Sequence, residues 1–283
     1  MKFSLFTKYG ALNSKPVFAA LEQSLRRAGH AVVHNDFNAD VAVIWSVLWH
    51  GRMAHNQLVW NKFRAADKPV MVLEVGGIQR NVTWKVGLNG VNRDAYFGPP
   101  GNDESRVKKL GLSLESWKTN KNGAILICTQ HPKSHQWQGM PAVSEWLTTT
   151  VRTIRQKTDR PIVIRNHPRC NLDFLQLTFK NINYESPRPI PGTYDDFDFS
   201  FKDKWAVINW SSNPAAQAVI KGIPVFVGPS SLAHDVGNTN LENIENPVKP
   251  DRTQWLNDYA YTEYTVEEIA RGIPLTNLTN KLV

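Results

Sequence analysis

The sequence predicts an α/β protein built of two doubly wound domains. Three observations carry this. Apolar strand-like runs alternate with helix-like stretches twice along the chain, and a polar Pro/Gly-rich stretch separates the two series. Residues 39–46, ADVAVIWS, are nearly all apolar, as in a parallel strand covered on both faces. Residues 206–228, AVINWSSNPAAQAVIKGIPVFVG, read as one complete strand–helix–strand unit.

Taken in order, residues 2–7 form a short strand. Residues 13–29 form a helix with Val17, Leu21 and Leu25 on one face and Gly29 as its stop. Strands follow at 31–34 and 39–46. Residues 52–66 are helical, with Leu58, Trp60 and Phe63 turned partly inward, and 69–75 is a fourth strand ending in Glu74 and two glycines. The β-α-β alternation up to about residue 97 makes one doubly wound unit. Residues 76–101 are glycine-rich and must turn repeatedly. Residues 1–100 are therefore the first domain and 101–122 a linker, with a short helical piece near 113–117.

The second domain, 123–250, opens with a strand at 124–129, whose polar loop 130–136 lies at the strand's C-terminal end, where α/β ligands sit. A helix at 142–158 carries Val143, Trp146, Leu147, Val151 and Ile154 on one stripe. A strand at 161–164 leads into Arg165-Asn166-His167-Pro168-Arg169. In the 206–228 unit, Ser211, Ser212 and Asn213 supply the helix N-cap, Pro214 takes the first helical position and Gly222 ends the helix. That turn, with the free N–H groups behind it, suits a diphosphate. Two helices, 252–261 and 266–272, make a C-terminal segment (251–283) that packs back on the first domain.

The chain has 283 residues, 41% of them hydrophobic, enough for two cores. No apolar run reaches membrane-spanning length, residues 1–10 lack a signal-peptide pattern, and the two cysteines fit no metal or disulfide spacing; a cytoplasmic protein without a membrane partner is expected. The net charge of +8 points to an anionic partner, and ten Trp residues offer stacking surfaces as well as core.

Residues 217–225, with Gln217, Ala218, Gly222, Pro224 and Val225, resemble the Glu-Ala-x-x-x-Gly-x-Pro-Val donor signature of GT-B glycosyltransferases. Gln217 stands where that family has Glu, replacing a charged contact to ribose hydroxyls with an amide. Residues 165–169 resemble the Arg-x-His-Pro-Arg loop of a GT-B group that includes capsule Kdo transferases and tailed-phage glycosyltransferases. The Gln130 loop, residues 244–247 (IENP), residues 250–262 (PDRTQWLNDYAYT) and residues 267–269 (EEI) extend the likeness to the phage group over about residues 95–278. The resemblance implies two Rossmann-like, GT-B-like domains with a cleft between them. It also implies a nucleotide-sugar co-substrate, in the first instance a UDP-sugar, and no cofactor. Donor-binding residues would be Gln130, Arg165, His167, Arg169, Ser211, Ser212, Asn213 and Gln217.

Sugar transfer to a hydroxyl with inversion needs a base. Glu74 is the first candidate, because it ends a buried strand before two glycines, and Asp94 the second. The phage likeness makes 5-hydroxymethylcytosine in DNA the expected acceptor and arabinose or a hexose the sugar. Arg52, Lys62, Arg64, Arg80 and Lys85 would then follow the phosphate backbone, with Trp49 and Trp84 as stacking residues for a flipped base. A transferase building a surface polysaccharide with a Kdo-like sugar is the alternative, and a non-catalytic nucleic-acid-binding protein the third reading. Asp196-Phe197-Asp198 spells an Asp-x-Asp, but alternating Phe197, Phe199 and Phe201 read as a half-buried strand, so no metal is expected.

Overall fold

The computed structural model describes residues 1–168, 170, 179–186 and 200–282. Arg169 and the Asp196–Asp198 triplet lie outside the described residues. The chain divides into two compact units, Met1–Gly111 with Asn257–Val283, and Leu112–Leu256. Each unit is α/β.

In the first unit the elements are β1 (Lys2–Leu5), α1 (Lys15–Arg27), β2 (Ala31–His34), β3 (Val41–Trp45), α2 (Asn56–Ala65), β4 (Val70–Val75), β5 (Thr83–Leu88) and α3 (Ser105–Lys109). The six-stranded sheet runs β11-β5-β4-β3-β1-β2, β11 (Glu263–Thr265) coming from the C-terminal segment. β2, β1, β3 and β4 are parallel, and β5 is antiparallel to both β4 and β11. α1 packs on one face with Phe3, Val43 and Leu73, and α2 on the other with Ile44 and Val72.

Several expectations need correction here. The sheet is mixed, because the glycine-rich stretch contains β5, whose Trp84, Val86 and Leu88 enter the α1-face core. Leu58 is exposed rather than inward. The linker's helix is α3, introduced by the Asp103 carboxylate accepting the Ser105 N–H (2.9 Å). Residues 113–117 carry no helix; the Glu115 N–H bonds the Ile220 carbonyl (3.0 Å), which holds the segment against the second unit. The C-terminal segment holds α6 (Thr253–Ala260), β11, α7 (Val266–Arg271) and α8 (Ile273–Leu278). Ile269, Leu275 and Leu278 join the α1-face core.

One buried ion pair fastens this segment. Arg106 on α3, 5% exposed, grips Glu268 with both terminal nitrogens (2.8 and 3.1 Å) and donates to the carbonyls of Ala260 and Glu263. Its guanidinium lies 4.5 Å from the Tyr264 ring centre. Lys109 adds a second cation to Glu268 at 2.7 Å. Glu268 is also the third residue of a capping box with Thr265 at the start of α7.

The second unit contains β6 (Ala124–Cys128), α4 (Val143–Arg155), β7 (Ile162–Arg165), β8 (Ile182–Glu185), β9 (Lys204–Asn209), α5 (Pro214–Ile220) and β10 (Val225–Val227). Its five strands are parallel in the order β10-β9-β6-β7-β8. Alternation along the strands builds two cores. Ile125, Ile127, Ile164 and Ile208 meet α4 through Leu147, Val151 and Ile154; Leu126, Val207 and Val225 meet α5 through Ala215, Ala218 and Val219. Since β6 leads to β7 on one side while β9 returns on its other side, the strand order reverses between β6 and β9. Loops leaving these two strands turn to opposite faces and leave an opening at their C-terminal ends.

Candidate functional site

The second unit's switch point gathers much of the expected donor site. Gln130 follows β6 and Ser211 follows β9, and both are buried. The Ser211 hydroxyl donates to Gln130 Oε1 (2.9 Å), joining the two loops across the switch point. Gln130 Nε2 donates to Ser134 Oγ (3.0 Å), which donates to Gln136 Oε1 (2.8 Å), so the glutamine is fixed at both ends. His167 follows β7. Its backbone N–H donates to Thr129 Oγ1 (3.0 Å), and its ring meets that of His131 edge-on at 5.2 Å. Gln130, His131, His167 and Ser211 therefore stand on one edge of one sheet.

The helix cap differs from the expectation. Asn213 is the N-cap of α5 but makes no side-chain cap bond. Ser211 is engaged with Gln130, and Ser212 accepts from Asn209 Nδ2 through its carbonyl (2.9 Å) and its hydroxyl (3.1 Å). Arg165 also departs from its expected role. It is 4% exposed and pairs with Glu185 through Nε (2.8 Å) and Nη2 (3.1 Å). As the last residue of β7 it is held in register beside Glu185 of β8, so strand pairing directs its guanidinium to a carboxylate rather than to a ligand phosphate. Ser212, Asn213 and Gln217 are half-buried on the turn and first helical residues after β9.

Two neighbours were not singled out from the sequence. Asn209, 1% exposed at the end of β9, has a buried Oδ1 with no hydrogen-bond partner among the described residues. Trp210 is half-buried, its indole N–H donating to the Gln136 carbonyl (2.9 Å) and its ring against Trp137 (6.2 Å). A Cβ at Gly228 would stand 2.5 Å from that ring. Gly228→Ala therefore has to move a tryptophan held on two sides. The expected result is a loss of about 1–3 kcal/mol in denaturant unfolding of this unit, with weaker ligand binding at the β9 edge. An unchanged midpoint and affinity would show that Trp210 yields freely.

In the first unit, Glu74 is the last residue but one of β4, near the C-terminal edge of the parallel strands, half-buried, with its Oε1 accepting the Val75 N–H (2.8 Å). Asp94 is exposed and accepts the Asn92 N–H (3.2 Å). Glu263 was not foreseen. Fully buried on β11, it accepts from Gly77 N (2.6 Å), Ile78 N (2.9 Å) and Thr83 Oγ1 (2.7 Å), and so ties down the turn just after Glu74. The Tyr259 hydroxyl, buried against it, is pushed well above its usual range by desolvation first and by the Glu263 charge second.

The nucleic-acid residues separate into two groups. Arg52, Lys62, Arg64 and Arg80 are exposed, on the turn before α2, on α2 and on the turn before β5. Lys85, Trp49 and Trp84 are 2%, 6% and 4% exposed, which corrects their expected contact with DNA. Trp84 packs on Trp45 (5.7 Å) because strand alternation turns it to the α1 face; Trp49 packs on Trp60 (6.1 Å). Lys85 points to the opposite face of β5, among carboxylates. No group of three His, Cys, Asp or Glu able to hold a metal occurs among the described residues. No helix among them is long and apolar enough to cross a membrane.

Two α/β units of this construction define the GT-B class of fold. No protein-family profile matches the chain, and no curated protein matches its sequence significantly. Among solved structures the chain is similar to KpsC of Thermosulfurimonas dismutans, a β-Kdo 2,4 transferase. Identity is 11% over 97% of this chain and 98% of that one, with a TM-score of 0.53. The β-Kdo 2,7 transferase of the same KpsC matches at 12% identity and TM-score 0.47, over 98% of this chain and 100% of that one.

Proposed function

We propose that the protein is a glycosyltransferase that holds a nucleotide-sugar donor at the β6/β9 edge of the second unit. The observation that carries this reading is the Gln130–Ser211 bridge across the switch point, beside the buried, unpartnered Oδ1 of Asn209. Buried acceptors without partners are rare in folded proteins, and one at a ligand edge fits a hydroxyl or N–H of a bound molecule. His167, Ser212, Asn213 and Gln217 complete the donor contacts, and Arg169, two residues after His167 in the sequence, supplies a cation for the leaving diphosphate.

Glu74 serves as the base. The acceptor hydroxyl oxygen bonds to the anomeric carbon while the bond from that carbon to the diphosphate oxygen breaks. The electron pair leaves with the nucleoside diphosphate, and the hydroxyl proton passes to the Glu74 carboxylate. Asp94 is the second candidate for that proton. We assign the acceptor as 5-hydroxymethylcytosine in DNA, supported by the net charge of +8 and the exposed Arg52, Lys62, Arg64 and Arg80. The fold shared with a Kdo transferase favours a second reading, in which the acceptor is a growing surface polysaccharide.

Incubating the protein with hydroxymethylcytosine DNA and a panel of UDP-sugars, then weighing the released nucleosides, tests this. A pentose or hexose increment is expected. Ser211→Ala, which breaks the bridge and strands Gln130 Oε1, should cut the rate about tenfold or more. No increment on DNA, with nucleotide-sugar turnover on an oligosaccharide, selects the second reading. No turnover with any donor rejects the transferase.

A further inference from the structure

Strand register places three charged residues in one row across the edge of the first sheet. Lys85 on β5 stands opposite Glu74 on β4 and opposite Glu263 on β11. Directly opposed residues point to the same face, so the lysine lies between two carboxylates. Asn92 lies over it, with Oδ1 at 3.5 Å from Nζ, and Asp94 of the same loop adds a third negative charge. Lys85 is 2% exposed. An ammonium in such a place is costly to desolvate, and an apolar residue of similar size serves packing as well or better. Its presence therefore calls for a role.

The two glutamates are not equivalent. Glu263 already accepts two backbone N–H groups and the Thr83 hydroxyl, with Tyr259 buried beside it. Its charge is met without the lysine. Glu74 accepts the N–H of its own neighbour Val75 (2.8 Å), and it alone of the pair is half-open at the sheet's C-terminal edge. We propose that Lys85 is a positioning residue for Glu74, fixing its carboxylate at the ligand edge. This rests on the reading of Glu74 as the base. Burial lowers the Lys85 ammonium from its usual range, while Glu263, Glu74 and Asp94 oppose that shift. The groups facing Lys85 include Glu74 from β4, Glu263 from β11, and Asp94 and Asn92 from the loop after β5, with Tyr259 of α6 beside Glu263.

The coupling is reciprocal, so it can be read on the lysine without any substrate. The full chain is labelled with [ε-13C]lysine, and the Lys85 signal is assigned by its loss in Lys85→Arg. In Glu74→Gln the Lys85 titration midpoint should fall by roughly one pH unit, as expected on losing a charge a few ångströms away. Asp94→Asn should lower it less. An unmoved midpoint in folded Glu74→Gln overturns the proposal. In the transfer assay, Lys85→Met should lower kcat with little change in the donor KM, and Lys85→Arg should restore much of the loss. An unchanged kcat in folded Lys85→Met also overturns the proposal; should that variant not fold, the Glu74→Gln titration decides alone. Absence of transfer by the wild-type chain would instead reject the function reading, and leaves the titration result standing.

Discussion

Arg106→Ala should destabilise the first unit by roughly 3–5 kcal/mol, the cost of leaving one member of a buried pair without its partner. Glu268 keeps the Thr265 N–H and Lys109, whose side chain is 52% exposed, and the carbonyls of Ala260 and Glu263 lose the Arg106 donor. The same contact predicts an acid response. Burial alone would raise the Glu268 carboxyl, but hydrogen bonds from Arg106, Lys109 and the Thr265 backbone outweigh it and hold it down at about 2. A carboxyl depressed in the folded state contributes stability that is present above its unfolded value, near 4.5, and is lost as pH falls from there towards 2. Urea midpoints measured from pH 7 to pH 3 should therefore fall more steeply for the wild-type chain than for Arg106→Ala. Parallel curves would mean that the pair contributes no pH-linked stability.

Glu74→Gln is expected to lower kcat by about 10²–10⁴ with little change in the donor KM, because an amide cannot take the acceptor proton. The carboxylate sits one residue before the end of β4, beside a turn locked by Glu263, so the isosteric amide should leave the fold intact. Asp94→Asn, in an exposed loop, should cost far less. The reverse order would move the base to Asp94, and equal, small losses would leave transfer to a solvent base.

Much of this fold is legible in the sequence where local signals and tertiary packing agree. Pro214 and Gly222 bracket α5; Gly222 adopts φ +72°, and a Cβ there would stand 2.1 Å from the Ser116 carbonyl oxygen. Gly29 stops α1 in the same way. β5 was hidden by its glycine neighbours, although Trp84, Val86 and Leu88 do alternate with Thr83, Lys85 and Gly87. Reading that alternation would also have moved Lys85 and Trp84 off the surface. β11 is only three residues long and forms only by pairing with β5, a partner about 180 residues earlier, so no local pattern announces it. α3 had both a start, Asp103, and a stop, Gly111, yet its charged sequence reads as linker; its burial depends on Glu268, which is distant in sequence.

The site was legible in part for the same reason. Gln130 and Ser211 follow strands whose ends are recognisable, and parallel pairing brings them together. Arg165 looked like a phosphate ligand because the sequence does not reveal Glu185 as its neighbour; the β7–β8 register does. Asn209 read as the end of an apolar run, and only the buried Oδ1 singles it out.

Calorimetric titration of the full chain with UDP tests the central claim most directly. Saturable binding is predicted, weakened about tenfold or more in Ser211→Ala and in Asn209→Ala, each of which removes one buried polar contact at the β9 edge. If UDP does not bind, or if both folded variants bind it as the wild-type chain does, the β6/β9 edge of the second unit is not the site of a UDP-sugar donor.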